Sequence, residues 1–452
     1  MFAEGPLSSR GGIGPFMDSL AFLLFQLLTA TLFLRPAELF EPLAGLPIYE
    51  GLIIGCLLLA GQRMQAWFTK SAIRRQPVVL CAFGLVPAIA ISHLTHGYLG
   101  GAFESTILML KTLVYFVLLI TIVDTPDRFN RFARTVATCA SVMVGLCVVD
   151  FLGFWDFQFI EHLVDFDGMT DEDEVLTILR MRGTGIFQDP NDLAMVVVGA
   201  GVLCTSFVFN GRNASRWLWL VPISVLGVAL ILTRSRGGLM AAGIAGLVLV
   251  SFRWGPRWGV GLALSGLLIL PLTSSRQTEI DFEEGTGQER IQIWQEGFDA
   301  LKSPDLLFGT GQGTYYDIAG LVAHNSFVHA YVELGIVGGT LFFGCFFFLF
   351  YELYRLGKKP WRLTRPDLVE WRPFVAALLA GWCGSMLSLS RCYVVPTFLV
   401  IGFGVAFIRL ATNSLPTRKS PALWDWTQAS RLSLASGLTF VGLYLFTTIM
   451  AR

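Results

Sequence analysis

The chain has 452 residues, 54% of them hydrophobic and only 15% charged, with a formal net charge of zero and a mean hydropathy of +0.62. That composition excludes a soluble globular protein; the whole-chain charge says nothing about partners, and no nucleic-acid partner is expected. The eight cysteines lie almost all inside apolar runs, without a CxxC pair or regular spacing. Neither a disulfide framework nor a zinc site is therefore expected, and no cofactor or metal is implied.

In chain order, apolar runs long enough to cross a bilayer fall near residues 17–35, 46–62, 77–97, 103–123, 135–154, 191–210, 216–232, 237–252, 258–273, 326–350, 373–390, 393–411 and 432–450. The first run lacks a small-residue cleavage site, so no cleaved leader is expected. Trp424 and Trp426 precede the last run as interface anchors. The expected fold is an all-α polytopic membrane protein of about 12–13 transmembrane helices with a large outer loop. It divides into an N-terminal transmembrane bundle (1–154), a first outer loop (155–190), a core (191–350) that includes the outer loop 274–323, and C-terminal transmembrane helices (351–452).

The loop with Arg63, Lys70, Arg74 and Arg75 is basic and is assigned to the cytoplasm. Alternation then puts Arg128, Arg131, Arg134, Arg212, Arg216, Arg253, Arg257 and the cluster from Arg355 to Arg372 on the same face. About two-thirds of the Lys and Arg residues follow that rule. Arg182, Arg234, Arg236 and Arg290 do not, and each lies beside a Gly-rich or Asn/His-containing stretch. Outward-facing arginines are tolerated when they hold an anion, which points to a phosphate-bearing lipid substrate at the outer face. The outer segment 274–323 also contains Glu289 to Leu301, where Ile291, Trp294, Phe298 and Leu301 share one helical face. Such a helix can lie against the membrane as part of a lid.

Three segments could carry chemistry. The first, Met181 to Asp192, combines Arg182, Gly183, Gly185, Asp189, Pro190 and Asn191 at a helix start. Glycines allow a ligand close to the backbone, and a helix N-terminus attracts an anion. An ordinary capped helix start, with Asp189 or Asn191 as the cap, explains the same residues. The second, Thr233 to Gly238, places Arg234 and Arg236 in a tight turn, where they either fork a lipid phosphate or snorkel to headgroups. The third, Ala323 to Gly335, opens a span. His324 at the outer boundary is a candidate general base, Asn325 and Glu333 are supporting polar groups, and His329 is expected to pack within the bundle.

Together these segments resemble the O-antigen ligase and O-antigen polymerase superfamily of bacterial membrane glycosyltransferases. The resemblance rests on Arg182 with Gly183, Phe187, Pro190 and Asn191, on Ser235-Arg236-Gly237, and on Arg290 with Trp294. It continues through Gly309 and Gly311 to His324-Asn325-Ser326 and Glu333-Leu334-Gly335. It covers roughly residues 180 to 345. It implies a GT-C-like architecture and a metal-independent, inverting transfer of a glycan from an undecaprenyl-diphosphate carrier. The acceptor would be a hydroxyl of lipid A core, of another glycan or of a protein, on the periplasmic face of the inner membrane. Arg182, Arg234, Arg236 and Arg290 would hold the diphosphate, and His324 would orient or deprotonate the acceptor. Ligase and polymerase differ in acceptor only; the His324-Asn325-Ser326 segment and the Arg290 helix favour ligase, and an exopolysaccharide polymerase is the alternative.

A flippase or transporter would need cations lining a route across the bundle. Apart from Lys111 and Glu333, the spans are nearly free of charge. Among weaker signals, the acidic stretch Asp165 to Glu174 does not fit an EF-hand loop and reads as a solvated loop. Asn213-Ala214-Ser215 is a glycosylation sequon on the cytoplasmic face and is discounted. Arg391 lies near a span end, and Asp150 near an outer end is expected to pair with an arginine.

Overall fold

A computed structural model describes residues 14–39, 41–169, 175–269, 286–302, 305–358, 365–415 and 422–451. Lipid offers backbone groups no partner, so apolar runs must close their hydrogen bonds internally as helices. The helices are α1 (Pro15–Leu34), α2 (Pro36–Leu39), α3 (Ile48–Met64), α4 (Lys70–Arg75), α5 (Pro77–Leu94), α6 (Leu99–Ile122), α7 (Pro126–Phe151), α8 (Pro190–Asn210) and α9 (Leu220–Leu232). They continue as α10 (Arg236–Trp254), α11 (Pro256–Ile269), α12 (Thr286–Ala300), α13 (Asp305–Phe308), α14 (Tyr315–Ala319), α15 (Ser326–Gly357), α16 (Pro366–Met386), α17 (Val395–Asn413) and α18 (Trp426–Met450). Among the described residues, ten helical segments are long and apolar enough to cross a membrane. The other three expected spans are α3, α11 and α16. The chain is thus an all-α polytopic membrane protein.

Helix boundaries follow local chemistry. Proline opens α1, α5, α7, α8, α16 and α17, where its missing N–H is not needed. Thr125, Asp189, Ser235, Asn325 and Asp425 cap their helices with side-chain oxygens. At the basic end of the bundle, Arg63 bridges Asp18 and Asp124 at 2.7 Å each, and Arg128 joins Asp124 at 2.9 Å. Trp424 is fixed at this end by its N–H to the Arg74 carbonyl, 2.8 Å.

The first outer loop, 155–190, contains a hairpin. Strands β1 (Leu163–Met169) and β2 (Val175–Arg180) pair antiparallel with Leu163 opposite Arg180. Asp165 is held there by Arg180 at 2.8 Å. The rest of the acidic stretch, 171–174, and the first part of the second loop, 274–285, lie outside the described residues. Asp150 pairs with His162 at 2.9 Å and not with an arginine, because the chain returns past the end of α7 before the hairpin begins.

The largest departure is in α15, read from sequence as one straight span. Gly335 has φ 64° and ψ −170°, which breaks the helix. The ring of Phe327 lies 5.7 Å from Phe342 and 6.0 Å from Phe346; a straight helix would hold those rings roughly 20 Å or more apart. Tyr331 and Thr340 both reach the Ser436 hydroxyl at 2.7 Å. Residues 326–334 therefore fold back along 336–357. The break strands the carbonyls of Val332 and Glu333, which receive N–H groups from Thr310 (3.1 Å) and Gly311 (3.0 Å). Gly309 and Gly335 meet backbone to backbone, and a Cβ on either would collide with the other's chain.

Gly335→Ala should lower stability by about 3 kcal/mol, from a disfavoured φ plus overpacking. Its unfolding midpoint in detergent should fall clearly below that of Gly243→Ala, whose added methyl meets nothing within 4 Å. Equal midpoints would show that the fold does not depend on this contact.

Candidate active site at one end of the bundle

The start of α8 builds the first wall. Asp189, rather than Asn191, is the cap; its Oδ1 accepts the Asn191 N–H at 2.7 Å. The glycines ahead of it serve packing. Gly183 donates its N–H to the Phe187 carbonyl at 2.9 Å, and Gly185, with φ 57°, lies against the Arg35 guanidinium, which would overlap any Cβ there. Arg182 is half-buried beside His162, to whose Nδ1 its backbone N–H points at 3.5 Å. No side-chain contact joins it to Arg290 or His324.

Arg180, which the sequence reading passed over, is the fastener of this wall. It donates to Asp165 (2.8 Å), to the Thr233 carbonyl (3.1 Å) and to Asn191 Oδ1 (3.3 Å). Asn191 Oδ1 also accepts the Ser235 hydroxyl at 2.7 Å. One amide oxygen thus ties α8, the hairpin and the turn before α10 together, which gives Asn191 a positioning role. In that turn Thr233 and Ser235 are buried, Arg234 adopts φ 53°, and the Arg234 and Arg236 side chains project to the surface. Ser235 caps α10 by accepting the Gly238 N–H at 3.0 Å.

The expected helix around Arg290 is present as α12. Ile291, Phe298 and Leu301 are buried as the spacing requires, and Ile293 joins them. This face packs on the end of α18, with Phe298 5.6 Å from Phe440 and 5.9 Å from Tyr444. The partner of α12 is therefore protein: the last span supports it. Trp294 Nε1 donates to the Ala323 carbonyl at 2.5 Å, the residue before His324. Arg290 is half-buried and has no hydrogen-bond or ion-pair partner among the described residues.

His324 does not belong to the helix that follows it. It takes φ 49°, and the helix starts only after Asn325, whose Oδ1 accepts from Phe327 N (3.0 Å) and Val328 N (3.2 Å). Asn325 is therefore a cap, and His324 lies outside the helix. Because 326–334 folds back, His324 lies below the level of Gly335. Four charges act on it: Arg290, Asp189, Arg391 and Glu289. Burial first, then Arg290 and Arg391, hold its imidazole below the usual 6.5, against the opposing pull of Asp189. Burial also lowers the Arg290 guanidinium from its ordinary value, with Arg180 adding to the effect.

Arg391, noted from sequence only as lying near a span end, is given its partner by the structure. It grips the buried Asp192 with both Nε (2.7 Å) and Nη2, and its backbone N–H donates to Ser326 Oγ at 2.9 Å. An arginine and an aspartate at two span ends were a visible signal, since unpaired charges there are costly. Glu333 is fully buried and works as a clamp. Its Oε1 accepts from Gly313 N (2.8 Å) and Tyr315 N (3.4 Å) and meets His329 Nε2 at 2.9 Å. His329 also bonds Ser390 at 3.0 Å and stacks on Tyr315, a structural role as expected.

His324 thus lies in the field of Arg290, Asp189, Arg391 and Glu289, contributed by separate segments of the chain. Residues 221–343 match the family model described as O-antigen ligase, which supports the O-antigen ligase and polymerase superfamily for this chain. No curated protein matches the chain. The matched segment contains Arg234, Arg236, Arg290, His324, Asn325 and Glu333; Arg180, Asp189, Asp192 and Arg391 lie outside it, yet the fold brings them to the same place.

Carbethoxylation by diethyl pyrocarbonate, which attacks neutral imidazole, should report the charge state of His324. Its midpoint should lie below pH 6.5. Arg290→Gln removes a positive neighbour and should move the midpoint up, whereas Asp189→Asn should move it down. Movement in the same direction would contradict the charge arrangement.

Proposed function

We propose that the protein transfers a glycan from an undecaprenyl-diphosphate carrier to an acceptor hydroxyl at the periplasmic face of the bacterial inner membrane, in the manner of an O-antigen ligase. The observation that carries this reading is the half-buried His324, its imidazole held below the usual value by burial and by Arg290, beside a guanidinium with no hydrogen-bond or ion-pair partner among the described residues. An imidazole in that state can take a proton, and a buried cation in need of a counter-charge favours a diphosphate.

In the proposed reaction the acceptor hydroxyl gives its proton to His324 while its oxygen bonds to the anomeric carbon. The bond from that carbon to the diphosphate breaks on the opposite face, so the anomeric centre inverts. The electron pair leaves with the diphosphate, whose growing charge Arg290 and the exposed pair Arg234 and Arg236 stabilise. Cations take the place of a metal in this scheme. Arg182, set against His162, serves the donor at the rim of the site. Asp189 and the Arg391–Asp192 pair fix the field around His324. The described spans carry few cations, Lys111 and the buried Arg409 among them, and this sparsity favours transfer over lipid translocation.

Purified protein in detergent, given the lipid-linked glycan and a chelator, should transfer it to lipid A core as a ligase. Transfer to a second donor molecule would instead mark a polymerase. His324→Ala should slow turnover by about 10²–10⁴-fold. Arg290→Ala should cost roughly 3 kcal/mol of barrier, about two powers of ten in kcat. Full activity in either variant would remove its assigned role.

A further inference from the structure

The transfer chemistry leaves one cation of the spans without a task. Lys111 follows Leu99, the first residue of α6, by twelve positions and precedes Ile122, the last, by eleven. At the rise of an α-helix it stands roughly 16–18 Å from either end, near the middle of a hydrocarbon core about 30 Å thick. Its side chain is exposed, and no hydrogen bond or ion pair holds it among the described residues. A lysine stem reaches only roughly 6 Å, too short to bring the ammonium to the bilayer surface from that depth. Arg409 of α17 shows how the bundle otherwise settles such a charge. It is buried, donates to the Val123 carbonyl at 2.8 Å and lies over the Trp67 ring.

The surroundings of Lys111 decide what can pair with it. Glu104, Leu108 and Lys111 recur along one face of α6, with Phe103 and Leu110 beside them, and all five are exposed. Apart from Glu104, near the start of the helix, this strip is apolar with a single cation at mid-depth. Lipid tails cannot neutralise an ammonium, and headgroup phosphates lie out of its reach. A second copy of the chain does not supply the missing charge either. Among the described residues, the exposed acids of the long helices, Glu50, Glu104 and Asp127, all lie within the first two turns. A two-fold axis along the bilayer normal would set Lys111 against Lys111. An ionised group this deep is stabilised by an opposite charge at the same depth, where low dielectric strengthens the pair. We infer that this face of α6 docks a transmembrane helix of a partner protein, and that the partner helix carries an Asp or Glu near the middle of its span that pairs with Lys111.

The full-length protein in lipid vesicles, with a donor dye on its N-terminal amine, tests the pairing against model helices of leucine and alanine, about 22 residues long. One acceptor-labelled helix has a single central Glu, a second has Gln there, and a third has its Glu one turn from the end. The central-Glu helix should reach half-maximal energy transfer at a concentration at least tenfold below the other two. Lys111→Leu should abolish that preference and Lys111→Arg should keep it. A hydrophobic carbodiimide, which takes up water as a carboxylate and an amine join in an amide, should link the central Glu to the peptide holding Lys111. Because Lys111 faces lipid, the unfolding midpoint of Lys111→Leu in detergent should match wild type; a clear fall would place the lysine's partner within the chain and overturn the proposal. Equal energy transfer by the Glu and Gln helices would also overturn it, as would a Lys111→Leu protein that still prefers the central Glu. Modification of Lys111 by a water-soluble amine reagent as fast as the exposed Lys70 would put the ammonium in water and have the same consequence.

Discussion

The break at Gly335, with Gly309 pressed against it, is the constraint on which the site depends. Folding 326–334 back along 336–357 strands the carbonyls of Val332 and Glu333 in a setting where water cannot satisfy them, and the loop at 310–311 supplies the missing donors. The Glu333 carboxylate then gathers the N–H groups of Gly313 and Tyr315 together with His329. Tyr315 in turn donates its hydroxyl to the Ile293 carbonyl at 3.0 Å, which docks α12 and brings Arg290 over the bundle. Each step uses a polar group that the previous step left unpaired. A buried carboxylate with this many donors is a structural clamp, which is why Glu333 is better understood through what it holds than as a catalytic group.

Around that scaffold the charges are largely settled in pairs. Arg180 is committed to Asp165 and Asn191, and Arg391 to Asp192. These pairs are fixed internally, and Arg391 still adds its positive charge to the field that holds the His324 imidazole down. Arg290 differs, being half-buried without a protein hydrogen bond among the described residues. An anionic ligand would complete its coordination, and that incompleteness distinguishes a binding cation from a structural one.

Much of this was legible in the chain. The spans, and the helix over 289–301 with its buried Ile291, Phe298 and Leu301, followed from hydrophobic period. The hairpin was not legible, because a short acidic loop carries little strand signal. Nor was the helix break: Gly335 inside an apolar run looks like any other glycine in a span. Asn325 at the start of a span can be a helical residue or a cap, and only the loop geometry, with His324 at φ 49°, decides between them. Asn191 gave the same ambiguity, resolved in favour of Asp189 as the cap and Asn191 as the tie to Arg180 and Ser235.

The sequence by itself determined what is set by short-range order: which segments are helical and apolar, where the basic residues collect, and which residue types are available at the ends of the spans. The tertiary structure alone decided who meets whom. Asp189, Arg290, His324 and Arg391 come from four separate segments, and no periodicity relates them. Their meeting depends on the depth to which each loop descends into the bundle, and that depth follows from backbone hydrogen bonds left open by a single glycine. Pairing energies of this kind act across long sequence separations and appear only once the chain has folded.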